Sequence, residues 1–175
     1  DVVTANKALL AEHGSELFKR ARQLGRSIAF EASVCGGIPI VTAIGQSLAA
    51  NRIESLCGIL NGTSNYIITR MTEEGIGYEE ALAEAQQRGY AEADPTLDVD
   101  GSDAAQKLAI LVQLSYRTEL SWQSIPCTGI EQLSLDDLQY THQMGYRIKL
   151  LGIAQLVDNG LEIHVSPTLV RCGQP

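Results

Sequence analysis

Arg147-Ile148-Lys149-Leu150-Leu151-Gly152-Ile153-Ala154-Gln155-Leu156-Val157-Asp158-Asn159-Gly160-Leu161-Glu162-Ile163-His164-Val165 is the stretch that decides the fold. Apolar side chains alternate on either side of Asp158-Asn159-Gly160, a hairpin turn signal, so 147–157 and 161–165 are predicted to pair as antiparallel strands. The segments before the hairpin carry helical spacing. Helices are predicted over 38–50, 63–73, 78–88, 103–116 and 134–144, with one more strand over 52–60. Ser134 is set to cap the last of these helices, with Asp137 three residues on and Gly145 to end it. Helices alongside antiparallel strands make an α+β fold with a mixed, largely antiparallel sheet covered by helices.

The beginning of the chain has another character. Residues 1–7 read as the end of a strand, 8–24 as a helix stopped by Gly25, and 27–33 as a second strand. Strand, helix, strand in that order suggests the last unit of a parallel α/β sheet. The expected division is therefore 1–33 and 34–175. The two ends read as cut, and 165–175 is expected to trail off through Gly, Gln and Pro. No G-x-G-x-x-G phosphate loop occurs in the chain.

Composition narrows the function classes. A net charge of -8 argues against nucleic acid or an anionic membrane as partner. Cys35, Cys57, Cys127 and Cys172 form no C-x-x-C pair and read as free thiols of a reducing compartment. His13, His142 and His164 lack zinc-site spacing. No apolar run approaches the roughly 20 residues that span a bilayer, and no secretory leader is visible.

The chemistry is expected in Gly89-Tyr90-Ala91-Glu92-Ala93-Asp94-Pro95-Thr96-Leu97-Asp98-Val99-Asp100-Gly101-Ser102-Asp103 and the helix that follows with Lys107. So many carboxylates repel one another, and a bound cation relieves the repulsion. Calcium does not fit: with Thr96 at the first position of an EF-hand loop, the twelfth is Lys107, where a carboxylate is required. A plainer reading is a solvated loop whose Asp103 and Lys107 form a surface i,i+4 pair. However, at 100° per residue those two share a face with Ile110, Leu111 and Leu114, as a half-buried cleft pair would. An amine held there can exchange a proton with a ligand, while the carboxylates hold an ammonium.

Two further blocks stand out. Gly58-Ile59-Leu60-Asn61-Gly62-Thr63-Ser64-Asn65 reads as a strand, a glycine turn and a helix start whose N–H groups suit a carboxylate or phosphate, or else as a simple Thr63 or Ser64 N-cap. Glu31-Ala32-Ser33-Val34-Cys35-Gly36-Gly37-Ile38-Pro39 puts a carboxylate before a glycine turn whose carbonyls could hold a hard cation.

Together with Val3-Thr4-Ala5-Asn6-Lys7, these blocks resemble homoserine dehydrogenase, in the family's order and over essentially the whole chain. The Gly89-to-Lys107 block is the specific part. The wording of 61–65 is more similar to the monofunctional enzymes than to the forms fused to aspartate kinase. The resemblance implies an NAD(P)-dependent oxidoreductase that interconverts L-homoserine and L-aspartate 4-semialdehyde in threonine, methionine and isoleucine biosynthesis. It implies Lys107 as general acid/base, Glu92 and Asp103 on the substrate's amino group, and Asp98, Tyr90, Thr63 and Gly62 lining the pocket. Lys7, also at the reacting centre, and the backbone of Gly89 would lie against the nicotinamide cofactor. Glu31, with the carbonyls of Val34, Gly36 and Ile38, would hold Na+ or K+. Cys35 stands where the family usually has glycine, and Ala93 where proline is common. Also implied are a cytoplasmic homodimer joined through 147–165, with 1–33 the remnant of a Rossmann-like dinucleotide-binding domain. Residues 34–175 would be the catalytic, substrate-binding and dimerisation domain. A second reading, an amino-acid sensor using the same pocket without catalysis, stands beside the enzyme; Lys107 separates the two, because a sensor needs no proton shuttle.

Overall fold

Strand β1 (Val2–Val3) lies parallel to β2 (Ile28–Ala29), with Val2 opposite Ile28. Helix α1 (Lys7–Gln23) joins them, and the Asn6 side chain caps it by accepting the Leu9 N–H. The strand–helix–strand unit is as the sequence predicts, but the second strand is shorter. At Phe30 the backbone bends into a 3₁₀ turn, Glu31–Ser33, because the Ser33 N–H and hydroxyl both donate to the Phe30 carbonyl.

The computed structural model describes residues 1–173; Gln174 and Pro175, read from sequence as part of a loose tail, lie outside the described residues. Two compact units make up the chain. The first comprises Asp1–Leu56, Ala105–Ile125 and Ile153–Ile163. The helix predicted over 38–50 is here a single turn, α2 (Ile40–Thr42), that widens into a π-helical turn at Ala43–Ser47, where the Leu48 N–H reaches back to the Ala43 carbonyl. Leu10, Phe30, Val34, Ile44, Leu108 and Val112 are among its buried residues.

The second unit comprises Cys57–Ala104, Pro126–Gly152 and the described residues from His164 onward. Its centre is α3 (Gly62–Glu74), which packs against α4 (Tyr78–Gln87), the one-turn α5 (Thr96–Val99) and α7 (Leu135–Gln143). Ser64, Asn65, Ile67, Ile68 and Met71 of α3 are buried, the spacing of one helix face turned inward. Gly75 ends α3 at φ 67°, where glycine carries no penalty. A core position such as Ile67, fully buried, is worth about 2–5 kcal/mol against alanine.

Strands β3 (Ser55–Gly58), β4 (Tyr146–Val157) and β5 (Gly160–Arg171) form one antiparallel sheet in that order. The fold is therefore α+β, as expected. The tail is not loose, however: β5 runs to Arg171, and the Cys172 N–H bonds to the Gly145 carbonyl. Pro167 is tolerated because β5 is an edge strand, which need not donate along its outer side. Asp158 and Asn159 have negative φ and Gly160 alone takes a positive one, 151°, so the hairpin is not closed by the primed turn that an Asn-Gly pair favours.

Candidate active site

Helix α6 (Ser102–Tyr116) carries Asp103 and, one turn later, Lys107. The helix is not the amphipathic one its sequence suggests. From Asp103 to Val112 only Lys107 escapes full burial, and Gln106, placed by the helical wheel to one side, is 8 % exposed. Asp103 is 5 % exposed, so the solvated-loop reading fails for it. Gly101 makes the entry possible: at φ 87° its Cβ would sit 2.7 Å from the Cys127 sulfur.

In the second unit a single amide organises the acids. Asn61, 2 % exposed, donates from Nδ2 to Asp98 Oδ1 (2.7 Å) and to Asp103 Oδ2 (2.8 Å). The two oxygens are therefore no more than about 5.5 Å apart, a spacing at which two ionised carboxylates repel by about 3 kcal/mol at an effective dielectric constant of 20. Asn61 Oδ1 accepts the Ser64 N–H (2.8 Å) and so caps α3. The helix start read from sequence is real, but its cap is Asn61 and not Thr63 or Ser64. Those residues brace the acidic loop instead: the Thr63 hydroxyl donates to the Tyr90 carbonyl (2.8 Å) and the Ser64 hydroxyl to the Asp98 carbonyl (2.7 Å). The Tyr90 ring lies against Tyr66, with centroids 4.8 Å apart. Asp94 turns the loop into α5 by accepting the Thr96 N–H and hydroxyl. Thr63, Tyr90, Asp98 and Asp103 are thus drawn together, with Gly62 opening α3 at the surface. Glu92 is exposed on the same loop, and Gly89, at φ 74°, has open space where a side chain would be.

The first unit holds the other expected residues. Lys7 is the half-buried first residue of α1. Both Glu31 oxygens are engaged at the start of α2: Oε1 accepts the Val41 N–H (2.8 Å), and Oε2 accepts the Thr42 N–H (2.9 Å) and hydroxyl. The Thr42 hydroxyl first, then these N–H groups, hold the Glu31 carboxyl below the usual carboxylate range. Cys35 and Gly36 turn the chain with φ 57° and 56°, a conformation made for glycine at both positions. Burial pushes the Cys35 thiol up, and the charge of nearby Lys107 opposes that rise. Among the described residues no group of three or more His, Cys, Asp and Glu side chains is placed to hold a metal ion. A cation at this turn would rely on the peptide oxygens of Val34, Gly36 and Ile38. Such neutral oxygen donors fit a hard ion of single charge, and Glu31 Oε1 keeps one lone pair beyond the Val41 bond.

The signal that sequence reasoning missed is Asn61. It lies within the Gly58-to-Asn65 segment, but an amide between two acids 37 and 42 residues away cannot be seen in one dimension.

An α+β arrangement of this kind is shared with dehydrogenases of known structure. The chain superimposes on a homoserine dehydrogenase from Thiobacillus denitrificans with a TM-score of 0.94 at 49% identity, over 97% of this chain and 39% of that one. A hyperthermophilic archaeal homoserine dehydrogenase in complex with NADPH aligns with a TM-score of 0.80 at 29% identity, over 99% and 49%. In sequence, the homoserine dehydrogenase of Pseudomonas aeruginosa is 51% identical over 169 residues, 97% of this chain and 39% of its own length. That of Bacillus subtilis is 47% identical over 174 residues, 99% and 40%. Residues 39–175 match the homoserine dehydrogenase family, and the chain belongs to that family. It spans about two fifths of the length of these curated relatives.

Proposed function

We propose that this chain is the substrate-binding and proton-transfer part of an enzyme that interconverts L-homoserine and L-aspartate 4-semialdehyde, in the route to threonine, methionine and isoleucine. The observation that carries this is the pair of acids, Asp98 and Asp103, drawn to one buried amide a single helical turn before Lys107. A ligand ammonium relieves the repulsion between those acids, and Glu92 on the exposed loop adds a third carboxylate toward it. Oxidation of the alcohol takes a hydride from carbon and a proton from oxygen. Lys107 as neutral amine takes that proton, and as ammonium returns it to the aldehyde oxygen in the reverse direction. Thr63, Tyr90 and Gly62 line the pocket.

A nicotinamide cofactor, NAD or NADP, supplies the hydride exchange when bound. Lys7 and the open backbone of Gly89 would lie against it, and Gly89 fits because nothing stands where its side chain would be. Glu31 and the carbonyls of Val34, Gly36 and Ile38 would hold Na+ or K+. The likeness to an NADPH complex supports the cofactor. The enzyme is proposed to work in the cytoplasm; among the described residues no helix is long and apolar enough to cross a membrane. The partner is a second copy, through the β4–β5 hairpin, and sedimentation of the intact protein tests for it. The domain reading, 1–33 completing a dinucleotide-binding domain and 34–175 carrying substrate and dimer contacts, belongs to the same proposal.

In the intact protein, Lys107→Ala is expected to lower kcat by about a thousandfold with little change in homoserine binding. Glu92→Ala should instead mainly raise KM. A rate loss below tenfold for Lys107→Ala would point to another base or to a sensor.

A further inference from the structure

We infer that Asn61 is a positioning residue that sets the spacing of the Asp98 and Asp103 carboxylates and so determines affinity for an ammonium-bearing substrate. This rests on the reading above that these acids hold the substrate's amino group.

The amide nitrogen has two protons and spends one on each acid, at 2.7 and 2.8 Å. Its oxygen is occupied as well, by the Ser64 N–H, which fixes the orientation of the amide. The residue is in turn held from behind. Asn65, 6 % exposed, donates to the Asn61 carbonyl (3.0 Å) and to the Leu150 carbonyl (3.0 Å), and accepts the Leu150 N–H (3.1 Å). Strand β4, Asn65, Asn61 and the two acids thus form one continuous hydrogen-bonded chain.

The chemistry of the side chain matters more than its size. An arginine or lysine here could also bridge the acids, but its charge would neutralise them and compete with a substrate ammonium. A neutral donor fixes their positions without adding a positive charge of its own. Capping alone does not explain asparagine either. Serine and aspartate cap a helix as well, and neither offers two N–H donors.

That difference supplies the test. In the intact protein, Asn61→Ser and the isosteric Asn61→Asp both keep an acceptor for Ser64 and lose the shared donor. With homoserine and NAD(P), Asn61→Ser is expected to raise KM at least tenfold, with kcat within threefold of wild type and Tm within ~3 °C. Asn61→Asp, which sets a third carboxylate between the two, is expected to raise KM further. The double variant Asn61→Ser/Asp98→Asn should raise KM by less than the product of the two single effects, because part of the amide's effect runs through Asp98. An unchanged KM in both single variants, a fall in kcat at constant KM, or full additivity overturns the inference. Loss of the fold in both variants also overturns it, since Asn61 would then serve α3 and not the acids. Failure of the wild type to turn over homoserine is a separate result: it overturns the underlying reading of the site.

Discussion

Gly129 shows how closely the acidic loop is held. A Cβ there would lie 2.1 Å from the Val99 carbonyl oxygen and 2.7 Å from the Asp100 Cα, and both are backbone atoms that no rotamer change can move. The next residue, Ile130, donates its N–H to that Val99 carbonyl at 2.8 Å, so the segment that delivers Asp98 is clamped from outside the loop. Gly129→Ala is therefore expected to cost about 1–3 kcal/mol by overpacking. Because the strain falls on Val99 and Asp100, homoserine affinity should drop as well. Denaturant unfolding measures the first effect and steady-state KM the second; full stability with an unchanged KM would show that the loop gives way freely. Cys35 is the contrasting case: it accepts a glycine-like φ of 57° in a turn with room to spare, as the open space at neighbouring Gly36 indicates.

Helix α7 has the reciprocal cap that its sequence spells out. The Ser134 N–H and hydroxyl donate to Asp137 Oδ2 (3.0 and 2.6 Å), and the Asp137 N–H donates to the Ser134 oxygen (3.1 Å). The Ser134 hydroxyl, followed by its N–H, holds the Asp137 carboxyl below its ordinary value. A depressed carboxylate stabilises the fold above its unfolded pKa of about 4 and ceases to do so as pH falls through the lower folded value. Ser134→Ala should lower Tm by a constant amount from pH 5 to 7, and the gap should narrow below about pH 4. Thermal melts of the two proteins across that range test this; a gap that widens in acid would reverse the sign assigned to Asp137. Helix α6 makes the opposite point, since nothing in its sequence marks which polar residues lie inside. Gln106 is buried while its neighbour Lys107 is only half-buried.

For the molecule as a whole, the chain's length against its relatives shapes what the isolated 175 residues can do. The curated relatives are about two and a half times as long, and no glycine-rich phosphate loop lies within this sequence. The isolated chain is therefore expected to bind NADPH more weakly than about 1 mM and to show no homoserine turnover. Titration calorimetry and a coupled absorbance assay measure the two directly. Turnover by the isolated chain would mean that the cofactor site lies within these residues.

Local pattern determined much of this protein. The order of the elements, the capping of α7 and the place of the hairpin at 158–160 follow from periodicity and turn signals acting over a few residues. Where local rules competed with packing or side-chain bonding, they misled. The helix expected over 38–50 begins as a single turn, its first N–H groups taken by Glu31, and gives way to a π-helical turn in which the Leu48 N–H bonds the Ala43 carbonyl. The second strand stops at Ala29 because Ser33 closes a turn on Phe30. The tail read as loose becomes an edge strand because β4 is there to receive it. Only the tertiary structure decided that Asn61 stands between Asp98 and Asp103, because a hydrogen bond forms between residues that folding brings together, whatever their separation along the chain.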